Sequence, residues 1–177
     1  AAGDLGAAPN AALLLAYPAA SRPLLDAALS DSSPDRRTAA ALLLGLMGFP
    51  EAGPVLAEAV RGREWDEGWN YRGMGQSGAS MSRLDALVLA LARTGDPSAA
   101  PVVAEKIRAL DGKAAFSHCR VAAVAAALLP GLGGELARLF REPGMAGHAV
   151  IDAAAAVRRA NGEVNETAAR NLSLREI

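Results

Sequence analysis

The chain has 177 residues, of which 51% are hydrophobic but only 4% aromatic, and 18 basic against 19 acidic side chains leave a formal net charge of −1. That length suits one domain with a substantial core, or three to four stacked helix pairs. The near-neutral charge provides no global field to gather phosphates, and without a local basic patch it argues against a nucleic-acid partner. The single cysteine, Cys119, excludes an internal disulfide framework. The longest apolar stretches, 39–47 and 121–129, fall well short of the roughly 20 residues that span a bilayer, so no membrane partner is expected. The opening AAGDLGAAPN has neither an initiating Met nor the basic start and apolar run of a signal peptide; the chain is expected to be a piece of something longer, its compartment unassigned.

The apolar weight lies in Ala, Leu and Val, which favours closely approaching helices over sheets of aromatic and β-branched strands. In chain order, helices are expected near 10–17, 23–30, 34–47, 52–61, 81–94, 98–110, 116–129, 133–141 and 148–161, with a last one beginning near Asn165. The stripes are clear: Leu84, Leu87, Val88 and Leu91 recur at i, i+3, i+4 and i+7, Val103, Ile107 and Leu110 do likewise, and so do Leu132, Leu136, Leu139 and Phe140. Ser33 before Pro34 and Asp96 before Pro97 are helix-start signals, and Ser82 with Asp85 resembles a capping box.

A repeat orders these helices. GFPEAGPVLAEAV begins at Gly48 and GDPSAAPVVAEKI at Gly95, so that Pro50 matches Pro97 and Pro54 matches Pro101; a weaker third copy ends its apolar run at Gly131. The spacings of 95 − 48 = 47 and 131 − 95 = 36 residues bracket the helix-pair period of HEAT repeats, about 40 residues. Each Gly can turn left-handed at the end of one helix, and a following Pro can open the next without losing a needed amide. The expected fold is therefore all-α: a right-handed α-solenoid of HEAT-like antiparallel helix pairs forming a single domain over 1–177, with one long inserted loop near 61–80.

That loop, RGREWDEGWNYRGMGQSGAS, holds both tryptophans, Trp65 and Trp69, with Tyr71, and it is expected to fold back on the helices. The aromatics read equally well as packing groups or as part of an interaction loop in which Asn70, Arg72 and Gln76 offer donors. Gly73-Met74-Gly75-Gln76-Ser77-Gly78 matches G-x-G-x-x-G literally, but no strand precedes it and a helix pattern follows, so it reads as tight turns and not as a dinucleotide cradle. His118-Cys119 suggests metal chemistry, yet adjacent helical residues diverge by about 100°, and the other histidine, His148, is too little to close a zinc site. A buried or half-buried pair is expected there, with no catalytic, cofactor-binding or metal-binding residue in the chain.

The segment GWNYRGMGQSGASMSRLDALVLALARTGD resembles the HEAT-like C-terminal region of a family of bacterial FAD-dependent oxidoreductases, and FSHCRVAAVA, REPGMAGHAV and NLSLREI are similar to later parts of the same region in the same order. The resemblance runs from about Glu64 to the end, and its most distinctive string is WNYRGMGQ. It implies that FAD belongs to a separate domain of a parent protein, with none held by these residues. The partner would then be the flavoprotein domain of the same chain, or else another protein. With Trp65 from the reading of the loop itself, the implied interaction surface is Trp65, Trp69, Asn70, Tyr71, Arg72, Gly73, Met74, Gly75 and Gln76. Competing readings are a stand-alone HEAT scaffold for a protein partner, and a catalytic HEAT-like protein such as a DNA glycosylase or a bilin lyase, of which the glycosylase lacks the basic groove it would need.

Overall fold

A computed structural model describes residues 8–66, 68 and 82–142 of the chain. The described residues form eight α-helices and no strand: α1 (Ala8–Ala16), α2 (Pro18–Ala28), α3 (Pro34–Leu46), α4 (Gly53–Arg61), α5 (Arg83–Arg93), α6 (Ala100–Arg108), α7 (Phe116–Leu128) and α8 (Gly133–Phe140). Single 3-10 turns, Pro50–Ala52 and Pro97–Ala99, lead into α4 and α6. The helices expected over 148–161 and from Asn165 lie outside the described residues.

The repeat glycines make the corners. Gly48, Gly95 and Gly131 take φ of +84°, +67° and +81°, and among the described residues they alone have positive φ. At the first corner the Phe49 amide donates to Leu44 O at 3.0 Å and the Gly48 amide to Gly45 O at 2.9 Å. This is the paired bonding of a Schellman motif, which satisfies the last carbonyls of α3. Pro50 and Pro97 then open the 3-10 turns, where a missing amide hydrogen costs nothing. The cap signals hold as well: Ser33 Oγ accepts from the Arg36 amide at 3.5 Å, and Asp96 Oδ1 accepts from the Ser98 amide at 2.9 Å.

One boundary differs from expectation. α2 begins at Pro18, five residues before the anticipated start at Pro23, and Pro23 lies inside it. Pro18 fixes φ in the first turn, and the Ser21 amide closes that turn on Tyr17 O at 3.0 Å. Pro23 gives up one backbone bond, while Leu25 and Ala28 on the following turn are buried. Burial of that face, which local propensity does not see, offsets the lost bond.

α6 touches α4, α5, α7 and α8, and α5 touches α3, α4, α6 and α7. Its stripe of Leu84, Leu87, Val88 and Leu91 is buried throughout, as are Ile107 on α6 and Leu136 and Leu139 on α8. Burying each such side chain contributes about 1.5–3 kcal/mol before entropy is counted. Gly45 sets the approach of α3 to α5: a Cβ there would lie 2.6 Å from Leu56 Cδ1 and 2.8 Å from Ala90 O. The backbones meet at a distance no larger residue permits. α1 and α2, by contrast, leave Leu13, Tyr17 and Leu24 more than half exposed.

Candidate functional site

Two ionisable residues lie on helix faces that should be apolar. Lys106 sits between Val103 and Ile107 on α6, Asp85 between Leu84 and Leu87 on α5, and both are buried. An unpaired charge in such a position would be expensive, so each needs partners. Both find them, directly or through His118, at the start of the long connection between α4 and α5.

The Lys106 ammonium donates to Arg63 O at 2.6 Å and Arg61 O at 3.5 Å, carbonyls at and just beyond the C-terminus of α4. A cation at that end also meets the negative end of the helix dipole. The backbone carbonyl of Lys106 in turn accepts the Trp65 indole N–H at 3.0 Å. The first residues of the loop are thus tied to α6 from both sides of one lysine.

Asp66, the next residue, caps α5. Its Oδ2 accepts from the Arg83 amide at 2.9 Å and its Oδ1 from the Leu84 amide at 3.3 Å. Partial burial opposes its charge, but bonds from the Ser82 side chain, its own backbone and the Arg83 and Leu84 amides outweigh that and hold the carboxyl below its ordinary pKa. Ser82 Oγ accepts the Asp85 amide at 3.0 Å, as a capping box requires. The box closes only halfway, because the Asp85 carboxylate turns inward to His118 and does not reach back to the Ser82 amide, while Asp66 takes the Arg83 and Leu84 amides.

His118, on α7, is the centre of the cluster. Its Nδ1 lies 2.8 Å from Asp85 Oδ1 and its Nε2 3.0 Å from the backbone carbonyl of Asp66. The Trp65 ring packs on it with centroids 4.6 Å apart and planes at 39°. Gly68 closes the other approach: a Cβ there would come within 2.7 Å of both His118 Cε1 and Nε2 and 2.6 Å of the Ala115 Cβ. Burial opposes the charged imidazole, but the Asp85 bond and charge, helped by Asp66, outweigh it and raise the His118 pKa. Asp85 Oδ2 is buried with no hydrogen-bond partner among the described residues.

This arrangement positions a loop; it does not expose a reactive group. Both His118 ring nitrogens are engaged, leaving neither free as a base or metal ligand. Cys119 is fully buried, and desolvation, with the Asp85 and Asp111 charges, pushes its thiol up to about 12, so the nucleophilic thiolate is scarce at neutral pH. Among the described residues no group of three or more His, Cys, Asp or Glu could hold a metal, and no helix is long and apolar enough to cross a membrane.

Of the interaction residues named from the sequence, Trp65 lies at this root. Trp69, Asn70, Tyr71, Arg72, Gly73, Met74, Gly75 and Gln76 lie outside the described residues, as do the rest of the G-x-G-x-x-G string and His148. His118 and Cys119 are buried as expected. Asp66, Gly68, Asp85 and Lys106 join Trp65 at this root without being expected there, although Asp85 and Lys106 carry a readable signal as charges on apolar stripes. Comparison of the chain with protein-family models, with curated proteins and with solved structures finds no match.

Proposed function

We propose that the chain is a non-catalytic HEAT-like helical-repeat module, a right-handed α-solenoid of antiparallel helix pairs, that presents the loop from Trp65 to Gln76 to a flavoprotein domain. In this reading it is the C-terminal region of an FAD-dependent oxidoreductase, packing against the domain that holds FAD or contributing the loop to its substrate side. The solenoid reading is supported by the contacts of α5 with α3 and α7 and of α6 with α4 and α8, the neighbours a stack of pairs requires. The parent family rests on the resemblance of WNYRGMGQ and the segments after it.

The observation that carries the presentation role is the anchoring of the root. Backbone amides of α5, the ammonium and carbonyl of Lys106 on α6 and the His118 ring on α7 all bond to residues 61–66. A connection that served only to join two helices would not need groups on three helices to fix its start. Rigid scaffolds commonly carry functional loops in this way.

The test is substitution at the loop in the parent protein and in the module. Trp69→Ala and Arg72→Ala are expected to lower the turnover of the parent oxidoreductase, or its interdomain docking, by 10-fold or more, on the order expected when a positioning or hot-spot contact is lost, while leaving the melting temperature of the helical module within about 2 °C. Equal loss of melting temperature in the module would make the loop purely structural. A parent reading frame without a flavin-binding βαβ unit would remove the flavoprotein and leave a scaffold for another protein partner.

A further inference from the structure

The bonding around His118 demands more protons than a neutral imidazole supplies. Its two ring nitrogens face two oxygens: Asp85 Oδ1 at 2.8 Å and the Asp66 carbonyl at 3.0 Å. A backbone carbonyl can only accept, and so can an ionised carboxylate, so both bonds form only if the His118–Asp85 pair carries one proton beyond neutral histidine and carboxylate. Without that proton, one nitrogen turns a lone pair toward an oxygen lone pair in a site closed by the Trp65 ring and Gly68.

We propose that the shared proton of the His118–Asp85 pair is a switch on the loop root: while it is bound, Trp65, Asp66 and Gly68 are clamped onto α7, and its loss as pH rises releases them. The inference concerns the root itself and stands whether or not a flavoprotein domain is the partner.

The groups that face the pair are few. Asp85 comes from α5 and Asp66 from the root, and both favour the proton on His118. Lys106 on α6, the cation that meets the root, directs its ammonium to Arg61 O and Arg63 O. The Arg83 side chain at the start of α5 turns to Asp35 on α3 at 3.9 Å. On α7 the adjacent Cys119 thiol stays protonated, pushed up to about 12 by burial and by Asp85 and Asp111. These residues offer no competing cation to the Asp85 carboxylate.

The direction of the effect follows. A folded-state pKa raised above the unfolded value of about 6.5 stabilises the fold fully below 6.5, and that contribution is lost as pH rises through the folded value. Release of the root therefore comes as pH rises, unlike the acid-triggered opening of a histidine buried in its neutral form.

The experiment is a pH titration of the intact chain by nitrogen–proton correlation of the imidazoles, with His148→Gln used to assign the two histidines and the Trp65 indole N–H followed in the same spectra. Below about pH 6.5 both His118 nitrogens are expected at imidazolium positions, with a midpoint above about 6.5. The Trp65 indole signal should move, or broaden into exchange, with that same midpoint. Asp85→Asn should bring the midpoint down by at least one pH unit and give the wild-type protein's high-pH Trp65 signal at a correspondingly lower pH. A His118 that titrates at or below 6.5, or a Trp65 signal unchanged through the His118 midpoint, would overturn the proposal, and both are read on the wild-type protein should the Asn variant fail to fold.

Discussion

Two kinds of connection join the helices, and they are built on opposite principles. The corner between α3 and α4 is a local device: Gly48 at φ +84°, a Schellman pair of backbone bonds and Pro50, all within a few residues of one another. The connection between α4 and α5 begins instead with bonds to groups far along the chain. Asp66 caps amides 17 and 18 residues ahead, Trp65 reaches a carbonyl 41 residues ahead, and His118 meets the Asp66 carbonyl across 52. A corner forms wherever its sequence is placed, whereas the root exists only when α5, α6 and α7 have already assembled. The corner is therefore a local feature of its sequence, and the root a product of tertiary assembly.

The contrast can be broken first at its most costly point. His118→Ala removes the partner of a buried carboxylate and leaves Asp85 without compensation, with an expected loss of about 3–5 kcal/mol in chemical denaturation. His118→Ala together with Asp85→Ala should recover much of that loss, because the stranded charge is gone. Full additivity of the two losses would mean that the pair contributes nothing as a pair.

Gly68→Ala should act next, by about 1–3 kcal/mol, because the new methyl cannot be placed without displacing the His118 ring or Ala115. Its signature is local: the Trp65 indole environment changes while the helical signal is kept. Gly95→Ala sharpens the other side of the comparison. No atom lies within 4 Å of the added Cβ, so only the φ of +67° is penalised, and the expected loss is about 1–2 kcal/mol with no change at Trp65. A Gly95 substitution that disturbed Trp65 would blur the distinction between corner and root.

Local rules also explain how much could be read in advance. Seven of the described α-helices fall close to their expected spans, because stripes such as Leu84, Leu87, Val88 and Leu91 announce a period of 3.6 and a Gly followed by Pro announces each corner. α2 was misplaced at its start because Pro23 carries a strong local signal that the burial of Leu25 and Ala28 overrules. At the root, the composition of the loop pointed to Trp65 and to folding back on the helices, but not to what would hold it. Asp85 looked like half of a capping box and became the partner of His118, while the Arg83 and Leu84 amides went to Asp66. Pairings across 33 or 52 residues leave no periodic trace in one sequence; only the presence of Asp85 and Lys106 on apolar faces hints that something must meet them.

The claim on which the rest depends is that bonds from distant helices fix the start of this loop, and amide hydrogen exchange at Arg83 and Leu84 tests it most directly. First-turn amides of a helix have no partner within the helix and exchange quickly unless capped. With Asp66 in place, both are expected to be protected at least 100-fold over the unstructured rate, as for helical amides that open only through local unfolding, and Asp66→Ala should abolish that protection while α5 beyond its first turn keeps its own. Exchange of the wild-type Arg83 and Leu84 amides at the unstructured rate would contradict it.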